Sequence, residues 1–533
     1  MPRPPKLLVL ILDAASPELL ESWGADGTLP AIGALMRDGV VARTGAMDGF
    51  YVGSTWLSFY TATTPATHGI YWLDRLRVGS YRTVPVAPDD FARHQSLWEA
   101  VSKQGRRVLV ADVPLTNLAP DLDGVQVVEW RSHDPLFGFR TRPPELRDEI
   151  LRSVGEHPSP LSCDKQGRSV AEYRTFADQL VAGAAVRGRL TRQLLARHPW
   201  DLAIQVFNES HCGGHQLWHF HDPRCPAYDA ATTAAHGDMI RDVYQAIDRA
   251  VGEIVAAVEP GTTVALMSLH GMSYMAGTAN LLPEVLLRLG VMARPSHRDL
   301  PPPATARERL VRTARSAYHA IPEKIRLPFY QFRQRLASRI TDHGTPIAID
   351  PQRTRCFTVP TGALTCGIRL NLRGREPAGI LDRGAAADRF CDELTGELMQ
   401  LTDADTGRPL VARVLRTARL YHGPELDLLP DLVVEWHLDR PNGSATVGSG
   451  RGATVRARSE RIGVVEAVND YARSGDHRPG GILVARGDGI PPGRFARTVP
   501  LPDLAPTLAR FVGCTMPGAE GRPVAGLLDA GER

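Results

Sequence analysis

The stretch VFNESHCGGHQLWHFHD, residues 206–222, holds four histidines: His211, His215, His219 and His221. A neutral imidazole offers a lone pair near physiological pH, which makes histidine the commonest side-chain ligand for transition metals. The four-residue step from His211 to His215 would set both rings on one face of a helix. Gly213 and Gly214 oppose that arrangement: adjacent glycines are poor helix formers, and they predict a loop or distorted turn whose backbone can approach a metal or substrate closely. His219 repeats the step further along, and His221 breaks it. Both read as polar residues with no metal role.

More metal-competent side chains follow apolar runs elsewhere. Asp13 closes KLLVLILD, His270 follows VALMSL, and SGDH places Asp476 and His477 just before GGILVARG. One carboxylate and several imidazoles converging on one edge make a zinc, iron or manganese environment. Taken singly, each reads as a hydrogen-bonded structural residue. Glu209 and Asp476 are possible additional carboxylates. In YVGSTWLSFYT, Ser54 and Thr55 sit where a glycine turn gives way to a helical pattern. A hydroxyl there either caps free backbone N–H groups or serves as a nucleophile, and capping is the simpler reading on local grounds.

These residues need a scaffold that brings chain-distant segments to one edge. Apolar strand-like runs alternate with helical patterns through the first third, which predicts a mostly parallel sheet covered by helices. Residues 229–258 carry helical spacing with Ile240, Val243 and Ile247 on one face. Three prolines in RDLPPPATARERL precede a basic helical segment ending near Ile340, read as a solvated insertion or a lid. The expected organisation is an α/β metal-binding core over 1–290, an inserted cap over 291–439 and a return to the core over 440–533. In such folds ligands sit at the carboxyl ends of parallel strands. In the cap, Asn371, Arg375 and Glu376 read equally as substrate contacts or as a salt-bridged turn, and His133 with Asp134 as pocket-lining residues or a polar loop.

Bulk properties narrow the partners. The chain has 533 residues, 43% hydrophobic and 23% charged, with a formal net charge of +3. So small a charge gives no sign of nucleic-acid binding. No run is long and apolar enough to span a bilayer, and the first apolar run ends at Asp13 without a cleavage motif. Seven cysteines lack a CxxC pair, as expected of reduced thiols. A cytoplasmic location is predicted; these motifs carry no signal for oligomeric state.

Several blocks, in order along the chain, resemble the alkaline phosphatase superfamily, close to its type I phosphodiesterase/nucleotide pyrophosphatase branch and the predicted phosphohydrolase/phosphomutase relatives. VLILDAASPELL resembles the first metal strand, usually written Asp-Gly. SFYTATTPATHGI is similar to the segment after the nucleophile, which ends TGxxPxxHGI. NESHCGGH resembles the Asp-x-x-x-His segment, SLHGM the Asp-His-Gly-Met segment and GDHRPGGILVARG the last histidine segment. IRLNLRGREPAGI and DLAPTLARFVGCTMPGAEGRPV are similar to the cap stretch and the closing helix.

The resemblance implies an alkaline-phosphatase-like sandwich and a metal-dependent hydrolase or transferase acting on a small-molecule phosphate ester. Its first substrate class is a diester or nucleotide pyrophosphate; phosphomonoesters and phosphonates are the alternatives, and an inactive binding protein is the alternative of another class. The cofactor implied is one or two divalent ions, zinc first, manganese or iron otherwise. The nucleophile position aligns with Val52, which has no nucleophilic group, so Ser54 or Thr55 must substitute. Aspartates are replaced by His211 and Leu269. His211, His215 and His477 would form one site, leaving Asp13, His270 and the hydroxyl for another, with Glu209 or Asp476 restoring a carboxylate. Sulfatase is disfavoured because no Cys-x-Pro-x-Arg stretch surrounds Ser54.

Overall fold

Six consecutive apolar residues form β1 (Leu7–Leu12), and a strand without polar alternation needs cover on both faces. The computed structural model describes residues 5–528 apart from 132–137, 161–162, 165–166, 277, 279, 296–344, 442–452 and 470–472. Side chains in β1 point alternately to two cores: Leu7, Val9 and Ile11 join one, and Leu8, Leu10 and Leu12 the other.

Seven further strands join β1 early in the chain: β2 (Val40–Thr44), β3 (Val108–Ala111), β4 (Gly124–Val128), β5 (Arg140–Arg142), β6 (Leu202–Phe207), β7 (Thr263–Ser268) and, just outside the main sheet, β8 (Gly271–Tyr274). The neighbours β7-β1-β6-β3-β4 run parallel and form the centre of a nine-stranded sheet. Its antiparallel members include β5, paired with β4, and the late strand Gly481–Arg486, which lies between β7 and β2. The expected mostly parallel α/β sheet is therefore the observed one.

One face is covered by two long helices, Val170–Arg197 and Met239–Ala257. Ile240, Val243 and Ile247 are all buried on the second, as their spacing predicts. The continuous helix expected over 229–258 is instead broken. Ala230–His236 ends at Gly237, whose φ of +81° is left-handed, and the Asp238 side chain accepts from the Arg241 N–H to start the next helix.

The opposite face carries the short helix Thr55–Thr61, the closing helix Leu501–Phe511 and the inserted region. The insertion contains a four-stranded antiparallel sheet in spatial order Cys356–Val359, Thr365–Leu370, Leu432–Trp436, Val411–Arg416. A hairpin, Ala453–Ser459 with Gly463–Asn469, pairs with Thr402–Asp403 of the insertion. The basic segment ending near Ile340, and His133 with Asp134, lie outside the described residues.

Asn371, Arg375 and Glu376 form a closed structural turn. Glu376 accepts from Arg369, Arg375 and the Leu372 N–H, Arg375 also binds Asp431, and Asn371 donates to the Pro351 and Thr354 carbonyls.

Candidate metal centre

Because β6, β1 and β7 are adjacent and parallel, the residues that follow each of them emerge at one edge of the sheet. Asp13 follows β1, and its N–H donates to the Phe207 carbonyl at 2.9 Å. The Ser210 hydroxyl returns the contact by donating to the Asp13 carbonyl at 2.7 Å. His270 follows β7. His477 comes from the strand Gly475–Arg478, which pairs antiparallel with β8 and sets His477 opposite Met272.

The loop expected at HCGGH is a helix, Glu209–Leu217, and every residue of it is buried. Gly214 answers to packing. A methyl on Gly214 would lie 2.6 Å from Met272 Cγ, and one on Gly475 would lie 2.2 Å from the Gly214 carbonyl oxygen. Low helix propensity is thus outweighed by the close approach of the helix to the β8 pair.

Closeness of these elements brings five of the expected residues together. One ligand atom from each of His211, His215 and His477 lies within 4.8 Å of the others. Ring centroids are 4.5 Å apart for His211 and His215, 5.0 Å for His211 and His477, and 4.8 Å for His215 and His477. The His270 ring is 4.5 Å from that of His477, and its Nε2 is 3.9 Å from Asp13 Oδ1. All five residues are buried.

The protonation pattern follows from the contacts. His215 Nδ1 is 2.9 Å from the Gly475 carbonyl, which only accepts, so Nδ1 carries the proton and Nε2 keeps a lone pair. Burial lowers the His270 pKa to about 4, so this ring is neutral at pH 7. Its Nδ1 is buried and has no hydrogen-bond partner among the described residues. Converging, buried imidazoles beside a carboxylate fit a divalent ion of the zinc type.

Glu209, His219 and His221 are engaged elsewhere, and Asp476 lies near Arg473. Glu209 lies in a separate buried network: it accepts from Arg187 Nε at 3.0 Å and sits 3.0 Å from His157 Nε2, while Arg187 also binds Asp112. Burial alone would raise its pKa, but Arg187 and His157 bring it down to about 2. Asp476 is buried on the strand that carries His477 and accepts from the His477 N–H at 2.8 Å; burial pushes its pKa up. His219 bonds the Ser474 hydroxyl, and His221 pairs with Asp238.

Ser54 and Thr55 begin the helix Thr55–Thr61 and are fully buried. Neither caps it. Ser54 Oγ donates to the Phe50 carbonyl at 2.9 Å and Thr55 Oγ1 to the Tyr51 carbonyl at 2.6 Å. The turn before them is held by the insertion: Glu435 accepts from the Gly49 N–H at 3.0 Å and from Arg413 Nε at 2.7 Å. Two residues that the sequence reading missed stand beside the trio, Arg473 and Asp164; their pairing spans 309 positions, and no local pattern announces it.

The sheet and its histidine-rich edge define an α/β fold with a candidate metal site at the carboxyl ends of its strands. The profile of the type I phosphodiesterase/nucleotide pyrophosphatase family matches residues 7–312, and the chain belongs to that family, whose members are divalent-metal phosphoester hydrolases. No curated protein matches the chain. Among solved structures, phosphonoacetate hydrolase from Sinorhizobium meliloti 1021 in complex with phosphonoacetate is 15% identical, with a TM-score of 0.50 over 96% of both chains. Murine ectonucleotide pyrophosphatase/phosphodiesterase 5, in an inactive form with AMP, is 11% identical, with a TM-score of 0.49 over 97% of both chains. The first likeness shows the alkaline-phosphatase-like fold.

Proposed function

We propose that this chain hydrolyses small phosphate esters at a divalent metal centre formed by His211, His215 and His477, with Asp13 and His270 as the adjoining pair. Diesters and nucleotide pyrophosphates are its first substrate class. The observation that carries the reading is the convergence of the three imidazoles beside Asp13 and His270 at the carboxyl edge of the sheet, in a member of this family. Three imidazoles suit zinc ahead of manganese or iron. When bound, such an ion supplies Lewis-acid polarisation of a phosphoryl oxygen.

The chain's own residues set the rest. Gly475 fixes the His215 tautomer, so that Nε2 faces the ligand. Burial excludes water from the imidazoles and keeps His270 neutral. For Ser54 or Thr55 to attack, its hydroxyl must leave the Phe50 or Tyr51 carbonyl. A second reading, a phosphomonoesterase or phosphonate hydrolase, draws support from the Arg473 guanidinium beside the trio, because extra positive charge suits a doubly charged substrate. We further propose a cytoplasmic setting, since all seven cysteines are buried thiols. No helix among the described residues is long and apolar enough to cross a membrane.

Hydrolysis of bis-p-nitrophenyl phosphate and p-nitrophenyl phosphate by wild type, Ser54→Ala and Thr55→Ala tests the reading. Loss of turnover by about 10³-fold or more in one variant identifies the nucleophile. Full activity in both would assign the hydroxyls to structure and attack to water. Absence of turnover with zinc, manganese and iron alike would leave a binding protein.

A further inference from the structure

Asp164 binds the Arg473 guanidinium along one edge: Nε donates to Oδ1 at 2.9 Å and Nη2 to Oδ2 at 2.6 Å. That two-point grip fixes the plane of the fork and leaves Nη1 as the edge to be offered elsewhere. Nη1 lies 3.4 Å from His215 Nε2, the nitrogen left with a lone pair by the bond from Nδ1 to Gly475. The arginine therefore touches the trio at its ligand-facing atom.

Its base is equally fixed. The Ser474 N–H donates to the His215 carbonyl at 2.8 Å, and the Met275 N–H donates to the Ser474 carbonyl at 2.9 Å, so the residue after Arg473 is tied to both the histidine helix and the β8 side. The Arg473 side chain is 23% exposed, whereas the three imidazoles are buried. The guanidinium is therefore the more exposed partner at the trio.

Charge gives the arrangement its meaning. Three imidazoles bring no negative charge to an ion, and Arg473 brings a guanidinium whose charge Asp164 and, less directly, Asp476 offset in part. Nε2 of His215 cannot both serve a cation and accept the Arg473 N–H, so occupancy of the trio frees Nη1 for an anion. We infer that Arg473, held by Asp164, is the residue that binds a non-bridging phosphoryl oxygen of the substrate at the histidine trio. This assignment deepens the reading of the trio as a phosphoester-processing metal site and rests on it. It gives the site a preference for the ester with more anionic non-bridging oxygens, because Nη1 donates more strongly to a more negative acceptor.

The probes are zinc alone and inorganic phosphate, with Arg473→Gln and Arg473→Lys as variants. Zinc affinity is measured by competition with a chromophoric chelator, and phosphate affinity by calorimetry on the zinc-loaded chain. Arg473→Gln is expected to weaken phosphate binding by about 10- to 100-fold while zinc binds as tightly as before or more tightly. Arg473→Lys, which keeps the charge but loses the fork, should fall between the two. In turnover, Arg473→Gln should lower kcat/KM for p-nitrophenyl phosphate more than for bis-p-nitrophenyl phosphate.

Unchanged phosphate affinity in Arg473→Gln overturns the inference, as does a loss that only follows a loss of zinc. If the wild type binds zinc and phosphate in this Arg473-dependent way yet hydrolyses neither ester, the proposed function fails and the anion site stands. If it hydrolyses esters and Arg473→Gln binds phosphate normally, only the anion site fails. A wild type that takes up no zinc contradicts both.

Discussion

At the residue scale, burial keeps several imidazoles neutral, and that has a consequence for acid stability. Burial lowers His219 and His270 to about 4, and burial with His94 nearby lowers His68 to about 3. In the unfolded chain these rings take up protons near their ordinary value of 6.5, whereas the folded chain holds them neutral well below it. Between those limits the unfolded state binds more protons, so stability is fully present above pH 6.5 and falls as pH drops toward 4. Each ring contributes up to about 1.4 kcal/mol per pH unit in that window. Glu209 adds a further loss from about 4.5 down to about 2, because its carboxylate is favoured only in the fold. Urea denaturation of the metal-free chain at about pH 7, 5.5 and 4.5 should show a falling midpoint at constant slope. A midpoint that holds or rises on acidification would show that these rings charge inside the fold.

At the element scale, the helix Glu209–Leu217 is where packing overrides propensity, and its two glycines are not equivalent. A methyl on Gly213 meets Leu180 and Val243 at 3.6 Å, ordinary contact, but on Gly214 it meets Met272 at 2.6 Å. Gly213→Ala should therefore stabilise the chain by about 0.5–1 kcal/mol. Gly214→Ala should destabilise it by about 1–3 kcal/mol and push the β8 pair, with His477, away from His211 and His215. Denaturation curves with zinc titrations of both variants check this; equal effects would contradict the packing account.

The same contrast shows what could be read from the sequence. β1, β6 and β7 were legible because uninterrupted apolar runs need two-sided cover, and Asp13, His211, His215, His270 and His477 because each follows such a run or closes a matching motif. The helix itself was not, since the reason for Gly214 lies in Met272 and Gly475, far along the chain. Nor was the diversion of Glu209 to Arg187, or of Asp164 to Arg473, because ion pairs between distant segments leave no periodicity. The broken helix at Gly237 was hidden for another reason: the face that carried the reading, Ile240, Val243 and Ile247, lies wholly beyond the glycine, and Ala230–His236 buries no residue. Two departures from the family pattern acquire a backbone meaning. Ala14 and Ala62, where glycines are usual, take φ of +52° and +56°, the left-handed conformation that glycine adopts without strain.

At the scale of the whole molecule, one sheet edge collects residues from four chain segments, and Glu435, paired with Arg413, holds the turn before Ser54. The region of residues 356–436 shares one apolar cluster with the helix Thr55–Thr61, whereas the histidine helix packs in the cluster on the other face of the sheet. Hydrolysis at this edge depends on the trio holding an ion. The most direct measurement is elemental mass spectrometry of the purified chain and of His215→Ala, each after exposure to zinc, manganese and iron and removal of excess. The account predicts about one ion or more per wild-type chain, zinc preferred, and loss of that ion in His215→Ala. A folded wild type that retains none of the three metals would contradict it.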